Sequence, residues 1–193
     1  MRRQWVEKYF DTFETFFDNN DHGLNPKYQV PPFVNWLRES LILSQDGKSI
    51  SELGRYMAKA YRSDPKTVWE LIYIGLCENS EICKWFQGTI DFNRPYTREE
   101  ADMILQDSYP DLQDRTLRNP FNSLLNTFKE SPLGSTIPIG VLSKNHNKVT
   151  ITRFSHANIS LPAVAYSLYR YAERRKRYML TISEFYNESQ REG

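Results

Sequence analysis

One run near the middle of the chain limits what it can fold into. Val68-Trp69-Glu70-Leu71-Ile72-Tyr73-Ile74-Gly75-Leu76-Cys77 is almost wholly apolar, on all sides of a helix rather than along one stripe. A helix without a polar face is a buried helix, and ten residues are too few to span a bilayer. Asp64 is placed to cap its free amides, and Pro65 suits the first helical position, where an amide has no partner to lose. The run is the expected core helix, and the stretch 49–105 is organised around it.

Around this helix the apolar residues recur at helical spacing. Trp5, Tyr9, Phe13, Phe16 and Phe17 predict an amphipathic helix over 2–18 with an aromatic face. After a polar loop, Pro31-Pro32 opens a second helix to about Leu43, with Phe33, Leu37 and Leu41 inward. Ser49-Ile50-Ser51-Glu52 reads as a capping box for a helix using Leu53, Tyr56, Met57 and Ala60. Ser80 caps a short helix with Ile82, Trp85 and Phe86, and Thr97 with Glu100 forms a second capping box. Asn119-Pro120 reads as cap and first residue of a helix to about Glu130, with Phe121, Leu124, Leu125 and Phe128 inward. The β-rich runs 137–142 and 149–154 flank Ser143-Lys144-Asn145-His146-Asn147-Lys148, a hairpin with a basic tip. Ser160 caps a further helix, with Val164, Leu168 and Tyr171 spaced for burial and Arg174-Arg175-Lys176-Arg177 at its negative end. Thr181-Ile182-Ser183-Glu184 is a third capping box, and its position so near residue 193 suggests a fragment of a longer protein.

The chemistry-bearing residues form no reaction set. Cys77 and Cys83 have five residues between them and no second pair, which suits reduced core thiols better than a metal shell. His22, His146 and His156 fall in loops with no thiol or carboxylate at ligand spacing. Glu99, Glu100 and Asp102 look like a carboxylate cluster, but the positive end of a helix accounts for them. No phosphate-binding glycine loop, zinc helix or nucleophile elbow is present, so no catalytic residue, cofactor or metal is expected. Nothing reads as a signal peptide, and a cytoplasmic location is expected.

Charge is more informative. The net charge of +1 conceals −6 over residues 1–114 and +7 over 115–193. Between Arg115 and Arg153 stand six basic residues and a single acid, Glu130. Such asymmetry argues about partners rather than about fold. Helix 97–108, helix 119–130 and hairpin 137–154 follow in the order of the back half of a winged helix-turn-helix. The second helix would enter the major groove, with Asn122 and Asn126 one turn apart for bidentate contact with adenine. Arg115, Arg118, Lys129, Lys144, Lys148 and Arg153 would neutralise phosphates of double-stranded DNA.

The residues Ile50-Ser51-Glu52-Leu53-Gly54-Arg55-Tyr56, Asp64-Pro65, Thr67-Val68-Trp69-Glu70-Leu71, Trp85-Phe86, Phe92-Asn93 and Tyr96-Thr97-Arg98-Glu99-Glu100 also form a pattern. Together with 117–128 and Ser131-Pro132-Leu133-Gly134, it resembles a poorly characterised bacterial accessory domain family. Such domains are associated with DNA phosphorothioation and related defence loci, and also follow domains similar to phosphoadenosine-phosphosulfate reductases. The resemblance covers roughly 50–172 and implies an accessory module of DNA modification or sulfur transfer, with no catalytic motif to carry over.

The expectation is a mainly α, α+β fold: a helical domain with one β-hairpin and a winged-helix-like C-terminal half. Its parts are N-terminal helices or a linker (1–48), an acidic helical core (49–114), a basic helix, hairpin and helix (115–178), and the start of a further element (179–193). The leading function is non-catalytic binding of double-stranded DNA, within a modification complex. The alternatives are a protein-interaction scaffold docking through helix 2–18, favoured if Trp5, Phe13 and Phe17 form an exposed patch, and a fragment of a reductase-like enzyme.

Overall fold

The computed structural model describes residues 1–18, 22–47, 49–145, 148–179 and 181. In chain order its elements are α1 (Arg3–Thr12), α2 (Val30–Glu39), α3 (Glu52–Ala60), α4 (Pro65–Asn79), α5 (Glu81–Thr89), β1 (Pro95–Thr97), α6 (Arg98–Ser108), α7 (Asp114–Glu130), β2 (Gly140–Asn145), β3 (Lys148–Arg153) and α8 (Leu161–Arg175). The chain is mainly helical with one small antiparallel sheet among the described residues.

The apolar run is the axis of the core. α4 starts where Asp64 accepts from the Thr67 amide with Pro65 behind it, and it buries Thr67 through Tyr73, Gly75 and Leu76. Trp69 is fully buried and its indole N–H donates to the Tyr61 hydroxyl at 3.2 Å. Burial of a large apolar side chain is worth about 1.5–3 kcal/mol, which explains why α2, α3, α5 and α8 all pack on this one helix. Two backbone approaches in this core are closer than a side chain permits. A Cβ on Gly75 would stand 2.8 Å from the Ser40 backbone, and one on Gly54 would stand 2.2 Å from the Ile42 carbonyl oxygen. A single apolar cluster runs from Met1 to Ala163, so α1 shares the core of the later helices.

Several boundaries differ from the sequence reading. α1 stops at Thr12, with Phe16 buried from the turn that follows. α2 ends at Glu39 because Leu41 adopts a left-handed backbone with φ +61°, from which no helix continues. The cap of α3 is Ser51, whose hydroxyl oxygen accepts from Gly54, while Ser49 pairs with Ser44. The Thr97–Glu100 capping box forms with both reciprocal bonds. α7 begins at Asp114 and runs through Pro120, which occupies an exposed helical position instead of opening the helix. α8 buries only Ala163, and Val164, Leu168 and Tyr171 are half-buried. The capping box at 181–184 lies outside the described residues apart from Thr181.

The sheet holds one strand more than expected. β1 joins β3, pairing Tyr96 with Ile151, so the strand order is β1-β3-β2. Three residues with a proline are too few to show a period of two. The hairpin also starts later, and its ladder runs closer to the tip, than the β-rich runs suggest. Pro138 has no N–H for a ladder, and Ile137 and Ile139 donate back to Pro132 and Leu133. The ladder then extends through Asn145 opposite Lys148, so Lys144 and Lys148 are strand residues.

Candidate nucleic-acid interface

α7 has two faces. Leu117, Phe121, Leu124, Thr127 and Phe128 are buried, with Phe121 edge-on to Trp85 and Phe128 against Phe86. Arg115, Arg118, Asn122, Asn126 and Lys129 recur at three- and four-residue intervals on the opposite side. The buried face thus fixes the polar stripe outward, as one line along a 17-residue helix.

Within that line the side chains are not equally available. Arg115 and Asn126 are exposed and have no side-chain partner among the described residues. Arg118 lies 3.0 Å from Asp114 and Lys129 3.6 Å from Glu130, both pairs in solvent, where an ion pair is easily exchanged. Asn122 is half-buried, and its Oδ1 accepts from Arg98 Nη2 at 2.8 Å. Guanidinium is donor-only, so the Asn122 oxygen faces Arg98 and only its NH2 remains. Bidentate pairing with adenine, expected of both amides, is therefore open to Asn126 alone. Arg98 is the residue the sequence reading missed. It also donates to Asp102 at 2.8 Å and lies over the Phe121 ring at 4.7 Å, bracing α6 against α7. Its i,i+4 relation to Asp102 is visible in sequence, whereas its reach to Asn122 is tertiary.

The hairpin presents its lysines on two faces. Lys144 is exposed and pairs with Val149, on the same side as buried Ile151. Lys148 is exposed opposite Asn145, and alternation puts it on the other side of the ribbon. His146 lies outside the described residues.

Arg153 departs from the expected role. It is buried, and its guanidinium donates to the carbonyls of Gln87 and Ile90 and to Gln87 Oε1, the last two at 3.0 and 2.9 Å. Phe92 covers the group at 3.9 Å. Its donors fasten β3 to the end of α5, which takes it out of the phosphate-facing set. The acids, meanwhile, sit next door: α6 exposes Glu99 and Asp107 beside Met103 and Gln106. Glu100, in its capping box, is held below the usual carboxylate range by the Thr97 amide first and its hydroxyl second.

Two of the loop histidines have partners that lie beyond their own sequence neighbourhood or in a buried turn. His22 is buried, stacks on Phe16 and accepts from the Leu24 amide. His156 donates from Nε2 to Glu70 Oε1 at 2.7 Å, while Glu70 Oε2 accepts from the Ser160 amide at 3.0 Å. Glu70 was the one charge inside the apolar run, and that was the available signal. Cys83 is buried, and burial pushes the Cys77 thiol up to about 12, so neither is a ready thiolate nucleophile. Among the described residues no group of three or more His, Cys, Asp or Glu is placed to hold a metal, and no helix is long and apolar enough to cross a membrane. No family model matches this chain, and no curated protein or solved structure matches it either.

Proposed function

We propose that the chain is a non-catalytic accessory module that binds double-stranded DNA through α7 and the β2–β3 hairpin. The observation that carries this reading is connectivity: helix, strand, helix, helix, strand, strand from α5 to β3, with strand order β1-β3-β2. That order is compatible with a winged helix, and on this reading the third helix, α7, lies in the major groove with the hairpin flanking it. The solvent-facing line from Arg115 to Lys129 supports α7 as that helix. A ribbon with Lys144 and Lys148 on opposite faces suits insertion between two phosphate walls. The acids of α6 orient the complex, keeping that helix's exposed face away from the backbone. Placement in a DNA-modification or sulfur-transfer system rests on the sequence resemblance alone. The scaffold alternative is not favoured by its own criterion, since Trp5 and Phe13 are packed on the core and only Phe17 is exposed.

Fluorescence anisotropy with a labelled duplex, titrated across salt, tests the proposal. Five phosphate contacts predict a log–log slope of about −4.5, at about −0.9 for each. Changing Arg115, Arg118, Lys144 and Lys148 to Ala is expected to abolish binding. Absence of binding at low salt, or equal binding by the variant, overturns it.

A further inference from the structure

On the opposite side of the chain's charge division, α1 and α3 leave an open groove of about 430 Å³ between them. Phe10, Phe13, Ile50 and Ala58 supply apolar lining. Arg55 and Lys59, both exposed and one turn apart on α3, stand at its wall. Like charges at that spacing repel, and neither has an ionic partner among the described residues. This contrasts with their neighbours: Arg3 pairs with Glu7 and Arg62 with Asp11, each at 2.8 Å. In a half of the chain with net charge −6, two cations without ionic partners among the described residues, beside an open groove lined half by apolar residues, are a local inversion of charge. Ligand sites combine an apolar lining with a few placed polar groups, at volumes of about 300–1,000 Å³.

We infer that this groove binds a small amphiphilic anion: an apolar body of one or two rings bearing a single carboxylate, sulfonate or phosphate. The rings lie against Phe10, Phe13 and Ile50, and the anion lies between Arg55 and Lys59. Glu14, also on the lining, opposes the anion and limits affinity. The site is separate from α7 and stands whether or not the chain binds DNA.

The probe is 8-anilinonaphthalene-1-sulfonate, compared with its uncharged counterpart N-phenyl-1-naphthylamine. Native protein is expected to bind the sulfonate saturably at one site, and the neutral analogue about tenfold more weakly, as expected for exposed charge contacts. Arg55→Glu with Lys59→Glu is expected to weaken the sulfonate by about tenfold or more, while Glu14→Gln tightens it. Amide shifts are expected at Ile50 and Ala58 and not along α7. All three positions changed are exposed, so thermal midpoints should hold; Arg55→Gln with Lys59→Gln serves as a milder second variant. Unsaturable binding, equal affinity for the neutral analogue, no response in either double variant, or shifts centred elsewhere overturns the inference.

Discussion

Arg153 shows how burial changes what a cation does. Its position in the basic half suggests phosphate contact, yet the guanidinium closes the end of α5 by donating to two backbone carbonyls. Burial lowers its pKa without bringing an arginine near neutrality. Arg153→Ala leaves those carbonyls without their donor and is expected to cost about 2–4 kcal/mol, from hydrogen bonds to a charged group. Arg153→Lys, which lacks the planar fork, is expected to recover only part of that. Urea midpoints measure both, and a loss below about 0.5 kcal/mol, the range of ordinary surface changes, would refute the structural role. In DNA titrations the folded Arg153 variant should keep the parent salt slope, whereas Lys144→Ala should make it shallower by about 0.9. Gly75 makes the same point for packing. With the Ser40 backbone 2.8 Å from where a Cβ would be, Gly75→Ala must push α4 away from the end of α2, at about 1–3 kcal/mol for overpacking.

At the scale of elements, α8 is held by its ends more than by its face. Only Ala163 is buried. Near the start, Glu70 of α4 receives His156 and the Ser160 amide, with Lys66 3.6 Å away. Near the end, Glu78 of α4 receives Arg170 at 2.9 Å and stands 3.7 Å from Arg174. Breaking a buried pair by removing one partner costs about 3–5 kcal/mol, so Glu70→Ala is expected to destabilise by about 3 kcal/mol. Glu78→Ala should cost less, because Arg170 keeps Glu173 and some solvent. Both carboxylates hold one helix, so the double variant should lose less than the sum of the two. Hydrogen exchange separates the causes: α8 amides should exchange faster while those in the middle of α4 stay protected. Full additivity with no change in α8 exchange would show that the clasps act independently of its docking. These clasps also mark where the sequence stopped being legible. The core helix, its Asp64-Pro65 start and the Thr97 capping box are local patterns, and they were readable because their causes lie within a few residues. The faces of α7 were readable for the same reason. Glu70–His156, Arg98–Asn122 and the pairing of β1 with β3 join residues 86, 24 and 55 positions apart, and no local period encodes them.

Across the whole molecule, the acidic and basic stretches share one interior, and the first residue ties them. Met1 is buried, and its amine donates to Thr127 Oγ1 on α7. Desolvation pulls that amine down from 8.0 to about 5, with Arg2 lowering it further and Cys83 and Glu130 working against the change. The folded chain therefore holds a neutral amine over a range where the unfolded chain holds a proton. Above about pH 8 both states are neutral and the burial carries no titration penalty. As pH falls from 8 toward 5, the unfolded state gains the proton first, and this group lowers stability by about 1.4 kcal/mol for each pH unit. Below about 5 both states are protonated and the penalty levels off. Other groups titrate in the same window, so the comparison is with the same chain acetylated at its N-terminus, which has no amine to protonate. Urea midpoints from pH 5 to 8 should slope more steeply for the free amine than for the acetylated chain. The two curves should run parallel above pH 8. Parallel curves throughout would mean that the amine is hydrated in the folded state, and that α1 does not deliver Met1 to α7.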